Sequence, residues 1–284
     1  MNPEEKSRIN DTQLEASQGL VRERLASLRN LEHLLKSPKT GPKALIRIVS
    51  ETRRCMEPPG SALNAYLELV GKRSADVDVS GLLAFVKVCA TFIEEAFSEA
   101  ETSKMGAKAR LSLEGKIVRL VSDVNALRDL IDLLDASATA NATELQVNAL
   151  VVETLAKCAP GKPQRSNVVH VFWERTAEDA TVYADARVMM PWMATAFGLT
   201  AGKGVRALRV NTSVGSDGEV LFRCEHCAPG LGDSVPCIFP RVVAPTLGVL
   251  RNAASLCGIT FGVDENAQSV DFVIPPERAS NGAN

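Results

Sequence analysis

Residues 113–136 read LEGKIVRLVSDVNALRDLIDLLDA. Ile117, Leu120, Val124, Leu127, Ile131 and Leu134 recur there at alternating steps of three and four. That is the a/d seam of a heptad, and it asks for a partner helix along its length. Each large apolar side chain buried on such a seam stabilises by roughly 1.5–3 kcal/mol. Left in water, the same side chains form an aggregation-prone stripe. Two arrangements satisfy the seam: a core helix inside a monomeric bundle, or a helical hairpin that pairs with a second copy as a four-helix dimer. The dimer is the arrangement expected here.

The sequence upstream of this helix is also helical in pattern. Residues 12–36 carry Val21, Leu25, Leu28, Leu31 and Leu35 on roughly one face, and 44–56 and 61–71 flank Pro58-Pro59. Prolines at those positions remove backbone donors and break the helix. Residues 81–100, GLLAFVKVCATFIEEAFSEA, form a further helix that runs from apolar to acidic. The sequence then changes character near residue 160. KCAPGKPQRSN (157–167) reads as a linker. Beyond it, strands are expected at 168–175, 181–185, 205–214, 219–225, 259–264 and 269–274. Helices are expected over 186–199 and about 244–257, and the stretch 226–243 reads as a loop. The turn Gly215-Ser-Asp-Gly218 joins the third and fourth strands. The expected architecture is α followed by α+β. A helical dimerisation bundle spans 1–160, and a two-layer α/β sandwich spans 161–276 with both helices on one face of its sheet. Residues 277–284 read as a disordered tail.

Composition narrows the function classes. Of 284 residues, 45% are hydrophobic and 23% charged, which is ordinary for a folded soluble protein. A net charge of −2 gives no reason to expect a nucleic-acid or membrane-surface partner. No apolar run reaches the roughly 18 residues needed to span a bilayer. The N-terminus, MNPEEKSRINDTQ, lacks the apolar core of a secretory signal. Seven scattered cysteines read as reduced thiols, so a cytoplasmic location is expected.

Several stretches, taken in order, resemble the sensor histidine kinase family. IDLLDASATANATELQVNALVVETLAKCAP (131–160) resembles the end of the second dimerisation helix and its exit. EDATVYADARVMMPWMATAFGLTAGKGVRALRV (178–210) resembles a strand, the helix that carries the N-box asparagine, and the next strand. LFRCEHCAPGLGD (221–233) resembles the strand and turn that carry the adenine-reading aspartate. APTLGVLRNAASLCGITFGVDENAQSVDFVIPP (244–276) resembles the last helix and closing hairpin. The resemblance implies a helical dimerisation domain followed by an ATP-binding domain of the GHKL type. It also implies a receiver domain or another signalling protein as partner.

Measured against that family, key residues differ. Thr195 stands where the resemblance puts the Mg²⁺-holding asparagine, with Pro191 one turn earlier. His226 stands where the adenine-reading carboxylate belongs. Pro229-Gly230-Leu231-Gly232 survives, but only Gly248 remains of the later glycine-rich phosphate turn. IVSETRRCMEPPGSALNAYLELV (48–70) resembles the phosphoacceptor segment with Glu51 in place of histidine, and a glutamate cannot form a phosphoramidate. The reading that follows is a catalytically inactive, histidine-kinase-like, homodimeric scaffold without cofactor or metal. One alternative is a histidine phosphotransferase using His33, a lone helical histidine that is more simply a surface residue. A divergent ATP-binding kinase is another. Cys224, His226 and Cys227, with Cys237 downstream, invite a zinc reading, but the second Cys-x-x-Cys of a structural site is absent. His170 and the two tryptophans, Trp173 and Trp192, read as packing residues.

Overall fold

The computed structural model describes helical positions between 80 and 98, then residues 107–160, 168–174, 180–202, 204–230, 233–264 and 268–275. His33 and Glu51 lie outside these residues, as do Gly232 and the tail from 276. The chain divides into two compact units: residues up to Asp129 with Val243–Pro245, and Leu130–Val242 with Thr246 onward. No helix among the described residues is long and apolar enough to cross a membrane.

Helix α1 runs Ala107–Ala138 and contains the heptad. Leu127, Ile131 and Leu134 are buried, and so are their neighbours Ala126, Leu130 and Leu133. Further toward the N-terminus the helix still exposes Val118 to 53%. The side chains of Ile117, Leu120 and Val124 lie outside the described residues. The C-terminal half of the seam is thus covered within a single chain and needs no second copy. The helix ends where Ser137 and Thr139 turn their hydroxyls back onto the carbonyls of Leu133 and Asp135. Such back-bonding competes with helix propagation.

The stretch after α1 departs from the sequence reading. Strand β1 (Thr143–Gln146) pairs antiparallel with β3 (Thr181–Ala184), and helix α2 (Val147–Cys158) packs on helix α3 (Ala186–Thr200). Residues 139–158 are therefore elements of the α/β unit. The main sheet has strand order β6-β2-β4-β5-β8-β7. Its members are β2 (Val169–Glu174), β4 (Ala207–Val214), β5 (Val220–His226), β6 (Val235–Cys237), β7 (Thr260–Asp264) and β8 (Ser269–Ile274). Only β2 and β4 run parallel; the other neighbours are antiparallel. Strands β1 and β6 are additions to the expected set, and β6 occupies part of the expected 226–243 loop. Helix α4 (Thr246–Leu256) completes a layer of three helices, where two were expected.

Side-chain alternation decides which face is buried. Val220, Phe222 and Cys224 of β5, with Val270, Phe272 and Ile274 of β8, point under the helices. Phe222 stacks on Phe272 with ring centroids 4.6 Å apart. Trp192 of α3 meets Phe272 and Phe261 edge-on at 4.8 and 5.2 Å, and its Nε1 donates to Leu250 O at 3.0 Å. The opposite face carries Arg209 near Glu174 and Arg223 near Glu225 and Asp271. Such exposed pairs contribute about 0–1 kcal/mol each, so they mainly keep that face wettable. Two glycines answer specific demands. Gly218 turns the β4–β5 hairpin at φ 81°. A Cβ on Gly198 would lie 3.0 Å from Pro240 O, so glycine lets the incoming loop touch α3.

Asp185 ties the α1–β1 connection to α3. It caps the helix by accepting from Arg187 N at 2.9 Å, and it accepts from Asn141 N at the same distance. The Arg187 guanidinium hydrogen-bonds the same carboxyl and holds it well below its usual range, at about 2. A carboxyl whose folded pKa is depressed stabilises fully above its unfolded value, and that contribution fades as pH falls through the folded value. Asp185 should therefore contribute roughly 2 kcal/mol at neutral pH, lost between about pH 4 and pH 2. Asp185→Ala should lower stability by about that amount at pH 7 and change the unfolding midpoint far less near pH 2. Denaturant titrations at both pH values check this.

Candidate functional site

A cavity of about 760 Å³ opens where the end of α3, the link into β4, the end of β5, the start of α4 and the adjoining ends of β7 and β8 meet. Leu199, Thr200, Arg206, His226, Gln268 and Ser269 all line it. Antiparallel pairing brings these segments together. Leu208 at the start of β4 faces His226 at the end of β5, and Cys224 faces Val270 at the start of β8. Segments some seventy residues apart in sequence thus share one end of the sheet.

His226 is held firmly. Its Nε2 lies 2.6 Å from Thr200 O. A carbonyl only accepts, so Nε2–H is the donor, and in the neutral ring Nδ1 is left as an acceptor. Arg206 and Asp264 are the charged residues among the described lining, one of each sign. Gln268 sits at φ 49°, the one non-glycine residue with positive φ among those described. Ser269 is 1% exposed, and its buried Oγ meets no hydrogen-bond partner in the protein.

Of the residues that the sequence places in a nucleotide site, His226 and Pro229 line this cavity, while Thr195, Gly230 and Gly248 do not. Thr195 is 8% exposed and donates its hydroxyl to Pro191 O at 2.7 Å. Its proton is committed inside its own helix. Gly230 lies beside Phe172, on another part of the sheet. Gly248, expected in a phosphate-binding turn, is instead within helix α4. A Cβ there would meet nothing within 4 Å, so no close approach demands a glycine. Thr200, Arg206, Gln268 and Ser269 escaped the sequence reading. A glutamine before β8 and the serine that begins it carry no motif that would have marked them.

Three of the described cysteines, Cys158, Cys224 and Cys237, are packing groups. Cys224 is completely buried, and burial pushes its thiol up to about 12. Cys237 reaches about 12 and Cys158 about 11 for the same reason. The Cys237 thiol points to Leu155 O. Thiols so unwilling to ionise are poor nucleophiles and poor metal ligands. Among the described residues no group of histidine, cysteine and carboxylate side chains is assembled as a metal site. His170, whose side chain is exposed on β2, pairs with Ser234.

No protein-family model matches the sequence, and neither does any curated protein. Similar solved structures are histidine kinases. The Acinetobacter baumannii histidine kinase AdeS is 14% identical over 71% of this chain and 100% of that chain, with TM-score 0.42. Full-length ShkA in complex with AMPPNP is 15% identical over 63% of this chain and 41% of its own, with TM-score 0.43. The Erythrobacter litoralis blue-light activated histidine kinase EL346 is 14% identical over 66% of this chain and 62% of that one, with TM-score 0.33. The chain thus spans less than two thirds of the length of the last two. These matches assign no role to any residue.

Proposed function

We propose that this chain is a histidine-kinase-like signalling module that works by binding partners, without phosphoryl transfer of its own. The observation that carries the reading is the His226–Thr200 bond. Where the resemblance calls for a carboxylate that accepts from an adenine amino group, the chain has an imidazole anchored to its own backbone. Losing a hydrogen bond to a charged group costs roughly 1.5–3 kcal/mol, about ten- to a hundred-fold in affinity. Mg²⁺ prefers oxygen ligands, and at position 195 the candidate oxygen is a buried hydroxyl bonded within its helix. Among the described lining residues a single arginine, offset by an aspartate, does little to hold a triphosphate. The described residues do not fit a nucleoside triphosphate.

In this reading the chain is a homodimer through the N-terminal part of the heptad, Ile117, Leu120 and Val124. Its α/β unit is the surface offered to a receiver domain or another signalling protein. The test is incubation with radiolabelled ATP and Mg²⁺, followed by acid-labile phosphate analysis. No labelled protein is the expected result. Label that disappears in an Ile117, Leu120 or Val124 variant, or in His33→Ala, would contradict the reading.

A further inference from the structure

We propose that the β7 edge of the sheet binds the β7 edge of a second copy of this chain, as an antiparallel pair of strands centred on Gly262.

The two edges of the sheet differ. The β6 edge is a strand of three residues that contains Pro236. Short strands and prolines keep a sheet edge from recruiting another strand. At the other edge, β7 reads Thr260-Phe261-Gly262-Val263-Asp264, with neither proline nor lysine. Among the described residues it pairs only with β8. Alternate residues of such a strand turn their backbone N–H and C=O groups away from the sheet. Thr260, Gly262 and Asp264 are exposed, and a glycine exposes backbone.

The order of the residues selects the partner. A two-fold axis at Gly262 sets Thr260 opposite the partner's Asp264 and Phe261 opposite the partner's Val263, each twice. On the outer face the threonine hydroxyl donates to the carboxylate, which accepts several hydrogen bonds at once. Phe261 and Val263 face the helix side, opposite Phe272 and Val270, yet stay only half-buried. The same pair from the partner would cover them. At the axis glycine meets glycine, and the two Asp264 carboxylates lie at opposite ends of the ladder. A slip of two residues, the smallest that keeps the same faces together, loses both hydroxyl–carboxylate pairs. Five residues a side is well short of the roughly 20–30 of a standard interface, so the contact is weak and does not register at micromolar concentration.

The test uses the full chain with Ile117→Glu and Leu120→Glu, which removes pairing through the heptad. Sedimentation equilibrium should show monomer–dimer exchange with Kd on the order of 0.1–1 mM. A Cβ at position 262 would meet nothing closer than Asp271 O at 3.9 Å, so the strand accepts a side chain there. Gly262→Lys places like charges opposite each other across the axis and should stay monomeric throughout. Gly262→Cys, treated with the thiol oxidant diamide, should give dimers joined through position 262 of both chains, because facing Cβ atoms lie about 4.5–5.5 Å apart. Ser216→Cys, in the exposed β4–β5 turn, should crosslink far more slowly. Gly262→Cys in the chain with its heptad intact should form the same linkage, so the outcome does not depend on whether the heptad pairs. A mass independent of concentration would overturn the proposal. So would association that Gly262→Lys leaves unchanged, or crosslinking at position 262 no faster than at position 216.

Discussion

Trp192→Ala should cost about 3–5 kcal/mol from the lost packing, the largest effect expected of any single truncation here. Trp192 is 0% exposed and touches Phe261 and Phe272 edge-on. It is also the hydrogen-bond donor that joins α3 to α4 through Leu250 O. Alanine leaves a cavity between the helix layer and the sheet and removes a second donor to Leu250 O, a carbonyl within helix α4. The loss is a large fraction of the entire stability of many domains, about 5–15 kcal/mol. Trp192→Phe keeps an aromatic ring against Phe272 and loses the hydrogen bond, so it should recover more than half of the loss. Denaturant unfolding measures both variants. A loss below about 1 kcal/mol for Trp192→Ala would mean that this part of the core collapses freely.

Leu127→Glu should abolish folding rather than separate a dimer. Leu127 is 0% exposed within the single chain. A carboxylate there loses the leucine packing and is buried without a partner, which costs several kcal/mol. Circular dichroism should show loss of cooperative unfolding. The dimer is tested at the other end of the heptad. Ile117→Glu with Leu120→Glu should turn a dimer into a folded monomer in sedimentation, with helix content kept. A well-folded Leu127→Glu monomer would instead make Leu127 an interface residue, not a core one.

The heptad in 113–136 was legible because six apolar positions at a fixed period leave few alternatives. The β4–β5 and β7–β8 hairpins were legible from alternation and the Gly215–Gly218 turn. What escaped was short or polar. TELQ (143–146) has one apolar residue in four, and its pairing with β3 is a tertiary event with no local signal. VPC (235–237) is three residues long and contains a proline, which is tolerated because β6 is an edge strand. Gly248 was put in a phosphate turn by the family resemblance, although the same stretch reads as helix over about 244–257, and α4 contains it. Trp192 was read as a core aromatic, but its bond to Leu250 depends on how two helices cross. His226 was singled out in the sequence as a departure from the family it resembles. Its attachment to Thr200, and the cavity it shares with Gln268 and Ser269, come from chain segments that only the sheet brings together.

The central claim is that this module carries histidine-kinase-like architecture without nucleotide chemistry. Calorimetric titration of the purified chain with ATP and with ADP, each with Mg²⁺, tests it most directly. The account predicts no saturable heat up to about 1 mM nucleotide, where even a binding free energy of about −4 kcal/mol would register. Saturable binding at micromolar concentration, weakened by substitution at His226, would contradict it.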